Sequence, residues 1–477
     1  MEKDISRRSF VKLASAGATA AAIPSMVRAK QAPSLNVLGA NDRVRVACVG
    51  YSDRFKASLV KCFMHHNKEL NFDLVAVADL WKKRLYEDAK PQLEAMFGHT
   101  VEAYGSDEDL YAHAKDVDAV IISTADFQHA QHAVHAANAG KDAYCEKPIS
   151  EDMYSANLLL DTINAKRAAG YAPGAILQIG TQRRSGPAYK AAKEYINSGK
   201  FGDIAYVNLT WNVNQPRRWR RPEALIKSLR EEDVDWKKWL LDRDPAVYKF
   251  DPRKYLEFRL FWPFSSGVTG QWMCHQIDTI GWFTGHKYPK SAVSSGGLYQ
   301  WVDGRKSFDT FTTVMEYGES GVKGKGFQVM FQSHQTNCLP GGKLNRENGQ
   351  EQYFSTTGMI DLVKGTVSNG GVEGATYHEE NLPAPKTEIV TSANTGGDPL
   401  TSAHMRNWME CVRSRKDPNA SVDAGYSHAV ALIMSNAAAR TGMRATFDET
   451  KRQVMVGGKP FIGYNTTAYN WFDKLFM

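Results

Sequence analysis

Four short, nearly continuous apolar runs constrain this chain most: Val44-Arg45-Val46-Ala47-Cys48-Val49, Leu74-Val75-Ala76-Val77-Ala78, Val117-Asp118-Ala119-Val120-Ile121-Ile122 and Ala175-Ile176-Leu177-Gln178-Ile179. Each has the length of a strand and lacks the alternation of a half-exposed one, so each reads as a strand covered on both faces. Residues 56–65 and 131–139 read as helices that carry the chain back between strands. The pattern predicts an open parallel α/β sheet whose strand ends share one edge, the edge where such sheets bind ligands. Cys145-Glu146-Lys147-Pro148 places a lysine there, and Pro148 keeps it extended or in a turn, so that its side chain is aimed.

The first run ends in Gly50 and the second in Asp79, 29 residues later. An aspartate there can accept hydrogen bonds from an adenosine ribose, which favours NAD over NADP; it can equally cap a helix beginning near Lys82. Where a Gly-x-Gly-x-x-Gly phosphate loop would run, the chain reads Gly50-Tyr51-Ser52-Asp53-Arg54-Phe55. Ser52 and Phe55 stand where absent side chains let backbone approach a pyrophosphate and helix pack on strand. Asp53 adds negative charge, Arg54 offers to offset it, and amides at the helix start remain as donors. Two outcomes fit: a dinucleotide held in a shifted pose, or a lost site. Thr124-Ala125-Asp126-Phe127-Gln128-His129 lies on the same edge, either lining a cofactor or forming a turn that Asp126 caps. The candidate cofactor contacts are therefore Gly50, Ser52, Arg54, Asp79, Thr124, Asp126, His129, Glu146 and Lys147. His129, His132 and His135 share one helical side, but a zinc site wants an accompanying carboxylate or an i, i+4 pair, so no metal is expected.

At the amino terminus, Ser6-Arg7-Arg8-Ser9-Phe10-Val11-Lys12 precedes an uncharged, alanine-rich stretch ending in Val27-Arg28-Ala29. This reads as a twin-arginine export signal over residues 1–29, implying the export machinery as a partner and a periplasmic destination. The stretch is too short and too alanine-rich to span a bilayer, so no stable membrane insertion is expected. The formal charge is +7, of which the leader supplies +3; the remaining +4 gives no argument for nucleic acid. Cys48, Cys62, Cys145, Cys274, Cys338 and Cys411 are scattered without a Cys-x-x-Cys spacing, so neither a disulfide framework nor a zinc knuckle is indicated. Eleven tryptophans and twenty tyrosines suit either sugar-ring packing or core filling.

The strand order, Cys145-Glu146-Lys147-Pro148, Gly180-Thr181-Gln182-Arg183-Arg184, Gly270-Gln271-Trp272-Met273-Cys274-His275-Gln276-Ile277-Asp278 and His404-Met405-Arg406-Asn407-Trp408 form an ordered set of motifs. Together they resemble the glucose-fructose oxidoreductase, inositol dehydrogenase and rhizopine-catabolism (Gfo/Idh/MocA) family, in its twin-arginine-exported bacterial branch. The resemblance implies an α/β plus α+β chain: a Rossmann-like parallel sheet (44–182) after an arm (30–43), then a domain on a large, mostly antiparallel open sheet (183–401), then C-terminal helices and tail (402–477). Strands are expected at 204–213, 292–302, 310–317 and 326–333, and helices at 187–197, 402–414 and 424–441. The open sheet face implies a homodimer or homotetramer.

The resemblance also implies chemistry: Lys147 and His275 would flank the hydroxyl being oxidised, with Gln271, Arg183, Arg259 and Tyr255 as substrate contacts. A histidine can accept the hydroxyl proton while a lysine steadies the oxygen. Many family members carry an aspartate where this chain has Gln271, and an amide cannot stabilise an imidazolium as a carboxylate does. Asp278 reads as a structural partner. Arg217-Arg218-Trp219-Arg220-Arg221 is either a solvated or subunit-contact loop, or an anion reader in the crevice. Residues 338–350 read as a loop. The expected activity is a NAD(P)-dependent oxidoreductase acting on a carbohydrate or cyclitol; a glycosidase or lyase working by transient oxidation, or a carbohydrate-binding protein on a degenerate fold, are the alternatives.

Overall fold

A computed structural model describes residues 42–215, 217–336, 347–370, 376–384 and 398–462. The leader, the arm up to residue 41, Cys338 with residues 337–346, and the tail beyond residue 462 lie outside the described residues. The apolar runs form a six-stranded sheet, β1 (Val44–Val49), β2 (Phe72–Ala78), β3 (Glu102–Tyr104), β4 (Ala119–Ile122), β5 (Asp142–Cys145) and β6 (Leu177–Ile179). Its order is β3-β2-β1-β4-β5-β6 and every pairing is parallel. The order reverses direction between β1 and β4, so the switch-point crevice opens above Gly50 and Ser123.

Because successive side chains point to opposite faces, β1 feeds two cores. Val44, Val46 and Cys48 face α1 (Val60–Leu70) and α2 (Lys90–Phe97), while Ala47 and Val49 face α3 (Asp107–His113), α4 (His129–Asn138) and α5 (Met153–Ala168). Phe55 shows how the altered loop is accommodated. It is fully buried against β1 and α1, and the chain enters α1 through a π-helical turn, Phe55–Leu59. The wider turn holds a phenyl ring where the glycine fingerprint leaves nothing.

After α6 (Pro187–Asn197) the chain enters a second sheet of eleven strands. In chain order these are β7 (Ile204–Val213), β8 (Ser291–Gly297), β9 (Thr310–Gly318), β10 (Gly326–His334), β11 (Glu347–Ser355), β12 (Gly358–Asp361), β13 (Thr366–Asn369), β14 (His378–Asn381), β15 (Ala445–Asp448), β16 (Gln453–Val456) and β17 (Lys459–Pro460). The spatial order is β14-β13-β12-β11-β7-β10-β9-β8-β15-β16-β17; only β7 and β10 pair in parallel. The strand expected over 292–302 ends at Gly297, where Asp309 gathers the amides of Tyr299, Gln300 and Trp301 into a turn. Residues 347–350, read as loop, are the start of β11 on β7.

An insertion between β7 and β8 carries α7 (Glu223–Ser228), α8 (Trp236–Leu240) and α9 (Pro252–Leu256), then α10 (Cys274–Thr284). Trp236, Trp239, Tyr248, Tyr255 and Phe264 pack with Trp81 and Phe127 of the first domain as one aromatic core. Most tryptophans are thus core. α11 (Asp398–Ser414) returns to the first sheet, where Trp408 meets Phe72 and Tyr144, and α12 (Val422–Thr441) lies in the core shared by both sheets. No helix among the described residues is long and apolar enough to cross a membrane. Phe55→Ala should lower unfolding stability by about 3–5 kcal/mol, since it opens a cavity in a packed core; a denaturant titration showing less than about 1 kcal/mol would mean the ring is not packed as described.

Candidate active site

Two connected chambers lie along the carboxyl edge of the first sheet. The first, about 870 Å³, is lined by the β1, β2 and β4 ends and reaches Tyr255 and His132. The second, about 1450 Å³, contains Lys147, Gln271 and His275. They share Ser52, Asp53, Arg54, Thr124 and Arg259.

In the first chamber, Gly50 takes φ +85°, and a Cβ there would stand 2.7 Å from Thr124 Cγ2. Only glycine permits this approach of β1 to β4. Asp79 accepts from the amides of Tyr51 (3.0 Å) and Trp81 (2.9 Å) and faces Arg84 at 3.5 Å. Its carboxylate thus fastens the two loops and remains in the chamber wall; the amide it caps is Trp81's. Ser52 Oγ accepts from the Phe55 amide, closing the helix start with a side chain. Asp53 is neutralised by Arg221 (2.6 Å) and Lys56 (3.4 Å), which hold its carboxyl below its usual range against the opposing effect of burial. The expectation that Arg54 would offset Asp53 is corrected here: Arg54 turns instead to Glu146, Nε to Oε1 2.9 Å, and reaches Thr401. Tyr255 lines this chamber and not the one holding Lys147, packed by Trp81 and Arg84, and burial pushes its phenol above its ordinary value. That placement corrects its assignment as a substrate contact.

In the second chamber, Lys147 Nζ donates to the Gln271 carbonyl at 2.6 Å and lies 3.5 Å from Gln271 Oε1. Gln271 sits in a π-helical turn, Thr269–Met273, just before α10, a geometry that recurs at functional sites. Its Nε2 donates to Asp126 Oδ2 at 2.6 Å, and the same oxygen accepts from Ser265 Oγ at 2.6 Å. Asp126 is fully buried behind the chamber wall and 3.6 Å from Arg259. It fixes the amide so that its oxygen faces the lysine. The carboxylate absent at position 271 is therefore supplied one amide further away, and Asp126 is a positioning residue instead of a cofactor contact. His275, at the start of α10, packs on Trp211, and its buried Nδ1 has no hydrogen-bond partner among the described residues. Burial, then the charges of Lys147, Arg183 and Arg54, hold it well below the ordinary 6.5, so the ring is neutral. Burial also lowers Lys147 from 10.5. His129 lines the wall and contacts the Pro148 carbonyl at 2.7 Å.

Residues 44–171 match the family described as oxidoreductase family, NAD-binding Rossmann fold (GFO_IDH_MocA). Over those residues the chain is similar to the Gfo/Idh/MocA family. Inositol 2-dehydrogenase of Salmonella typhimurium is 30% identical over 188 residues, covering 38% of this chain and 51% of that protein. The chain spans about half the length of the curated relatives it matches. The fold is shared with levoglucosan dehydrogenase solved with NADH and levoglucosan (TM-score 0.59, 14% identity, 85% of this chain and 99% of that one). It is also shared with the WlbA dehydrogenase of Bordetella pertussis solved with NADH and UDP-GlcNAcA (TM-score 0.58, 18% identity, 85% and 99%).

Around this domain, three expectations change. Arg183 is not in the chamber wall: it is locked by buried Glu351, over the rings of Tyr189 and Trp211. Residues 218–221 do face the second chamber, anchored by buried Glu257 on Arg220 Nε (2.9 Å) and the Arg221 amide (2.7 Å). Trp219 lines it too, stacked 5.3 Å from Trp272. Asp278 pairs with Arg184 and is structural. Two of the three histidines do have a carboxylate in space: Asp107 lies 2.8 Å from His132 and 2.9 Å from His135, which removes the reason for dismissing a metal.

Sequence reading missed Glu151, four residues past Lys147. It accepts from the Ser266 amide and Oγ, and a Cβ on Gly270 would come within 2.9 Å of it. Burial, then the charge of Asp126, raise it from 4.5 to about 8. The folded chain keeps a proton that the unfolded chain loses, so this group's stabilisation is complete below about pH 4.5 and falls as pH rises toward 8. Glu151→Gln should flatten that decline, its Tm gaining on the wild type progressively between those limits; parallel Tm curves would contradict a protonated Glu151.

Proposed function

We propose that the chain is a nicotinamide-dinucleotide-dependent oxidoreductase acting between a ring hydroxyl and a ketone of a sugar, glycoside or cyclitol. The carrying observation is the convergence of Lys147 and neutral His275 on a chamber continuous with the switch-point chamber. The names of the relatives, an inositol, a levoglucosan and a nucleotide-sugar dehydrogenase, support a ring-hydroxyl substrate. The residues fit a dinucleotide: Gly50 leaves the β1 end open, Asp53 is neutralised, and the buried Thr124 Oγ1 has no partner among the described residues. Gly50, Ser52 and Thr124 would hold its phosphates and Asp79 its ribose. Because two amides fix the Asp79 carboxylate, it repels a 2′-phosphate, and we propose NAD.

When bound, the nicotinamide supplies a hydride acceptor. Lys147 would hold the substrate oxygen and stabilise negative charge developing there, with Gln271 and Asp126 setting its direction. His275 would accept the hydroxyl proton, and as a weakened base it relies on Lys147 to ease that proton's release. Trp219 offers a ring face to the sugar.

Calorimetry with NAD+ should show one site, about tenfold or more tighter than NADP+; absence of any dinucleotide binding by folded protein would eliminate this reading. Lys147→Ala and His275→Ala should each lower kcat/KM by roughly 10²–10⁴. The pH profile should stay level below 6.5, because His275 protonates only in more acid solution, and decline on the alkaline side before 10.5 as Lys147 loses its proton. Net cofactor reduction separates a dehydrogenase from a lyase that restores its cofactor.

We further propose export through the twin-arginine route, on the strength of Arg7-Arg8 and the stretch after them. Arg7→Lys together with Arg8→Lys should hold the protein in the cytoplasm on cell fractionation; unchanged periplasmic yield would refute this route.

A further inference from the structure

One cluster of ligating side chains stands apart from the proposed chemistry. His132 and His135, a turn apart on α4, direct their Nδ1 atoms at a single oxygen of Asp107, the first residue of α3, at 2.8 and 2.9 Å. The three donor atoms lie within 4.8 Å of one another. Asp107 and His132 are buried and form part of the first chamber's wall, whereas His135 is 34% exposed and gives the cluster a path to solvent.

We propose that Asp107, His132 and His135 bind one divalent transition ion of the zinc type, which joins α3 to α4 beside the first chamber. Two imidazole nitrogens and a carboxylate oxygen form a donor set suited to such an ion and poorly suited to magnesium or calcium, which take oxygen ligands. Tetrahedral donors about 2.1 Å from an ion stand roughly 3.4 Å apart, so on coordination the two imidazole–carboxylate distances would widen by about half an ångström while the two imidazole nitrogens settle to a similar separation. Coordination through Nδ1 requires each neutral ring in its Nε2–H tautomer, so the proton facing Asp107 on Nδ1 is exchanged through solvent for one on Nε2, with no net proton released by a neutral ring. With three protein ligands the remaining position goes to water.

The spacing supports one site and not two. His132 and His135 are three residues apart on α4, which places both rings on one side of the helix, and both converge on Asp107 from 25 and 28 residues away in sequence. Nearby Lys238 is engaged elsewhere, donating to Ser106 Oγ at 2.9 Å and pairing with Glu108 at 3.3 Å.

The test uses the full chain, stripped with a chelator and dialysed, and needs no dinucleotide. Titration with ZnCl2 by calorimetry should show one saturable equivalent, with a rise in Tm, and CoCl2 should produce visible absorption of a four- or five-coordinate site. His132→Gln and His135→Gln should each weaken binding by about tenfold or more, while His113→Gln, outside the cluster, should leave it unchanged. Since His135 is partly exposed, His135→Gln retains the fold, and far-ultraviolet circular dichroism verifies this. No saturable binding by the folded wild type, or wild-type affinity in His132→Gln and His135→Gln, would overturn the proposal and leave the histidines as hydrogen-bond partners of a buried carboxylate.

Discussion

A lysine side chain buried where the two sheets meet is the constraint around which this site is arranged. An ammonium removed from water must be compensated by dipoles or charges held in place. Lys147 obtains a backbone carbonyl from the π-helical turn at Gln271, an amide oxygen whose orientation Asp126 fixes, and the field of Glu146 beside it. Each partner is restrained in turn: Asp126 by Ser265, Glu146 by Arg54. Since the partners come from the segments just after β4 and β5 and from the turn before α10, the network also joins the first domain to the second at the chamber.

The departures from a common phosphate loop are mutually consistent when taken together. Phe55 fills the core, so the helix opens with a wider turn; Ser52 closes that turn; Asp53 is neutralised by Arg221. Arg221 belongs to the loop that Glu257 anchors above the second chamber, so the altered loop of residues 50–55 and this loop are tied by an ion pair. Changing one without the other leaves a charge unpaired. The cleft is thus closed by side chains at a point where glycine fingerprints use close backbone approach.

The first sheet was legible because strands buried on both faces carry their own signature in continuous apolar runs, and β7, β9 and β10 because their alternation is local. β12 to β14 are four residues each and largely polar, so nothing local separates them from loops. The positions of Lys147 and His275 followed from motifs, but their environment did not. Asp126 meets Gln271 across 145 residues, and Asp107 meets His132 across 25, and no spacing rule spans such gaps. Asp126 read as a cofactor contact or a turn cap because it lies on the strand-end edge; its burial, and hence its hold on Gln271, exists only once the insertion packs Phe264 against Phe127 and brings Ser265 beside it. Tyr255 was misplaced for a related reason: Leu256, Phe258 and Arg259 beyond it line both chambers, while Tyr255 itself lines only the first.

The neutrality of His275 follows first from its burial and then from the charge on Lys147. Two basic groups buried in one chamber cannot both hold a proton cheaply, and the one with dedicated acceptors retains it. Lys147 has the Gln271 carbonyl and the field of Asp126 and Glu146, while His275 has an aromatic neighbour, an unpartnered Nδ1 and three cations within its field. On the proposed roles, the division into a charged oxygen holder and a neutral proton acceptor is therefore a property of the pair. An aspartate at position 271 would shift that balance by offering the imidazole a counter-charge. Glutamine there, with the carboxylate placed behind it on Asp126, keeps the stabilising field on the lysine side and leaves the histidine ready to receive a proton.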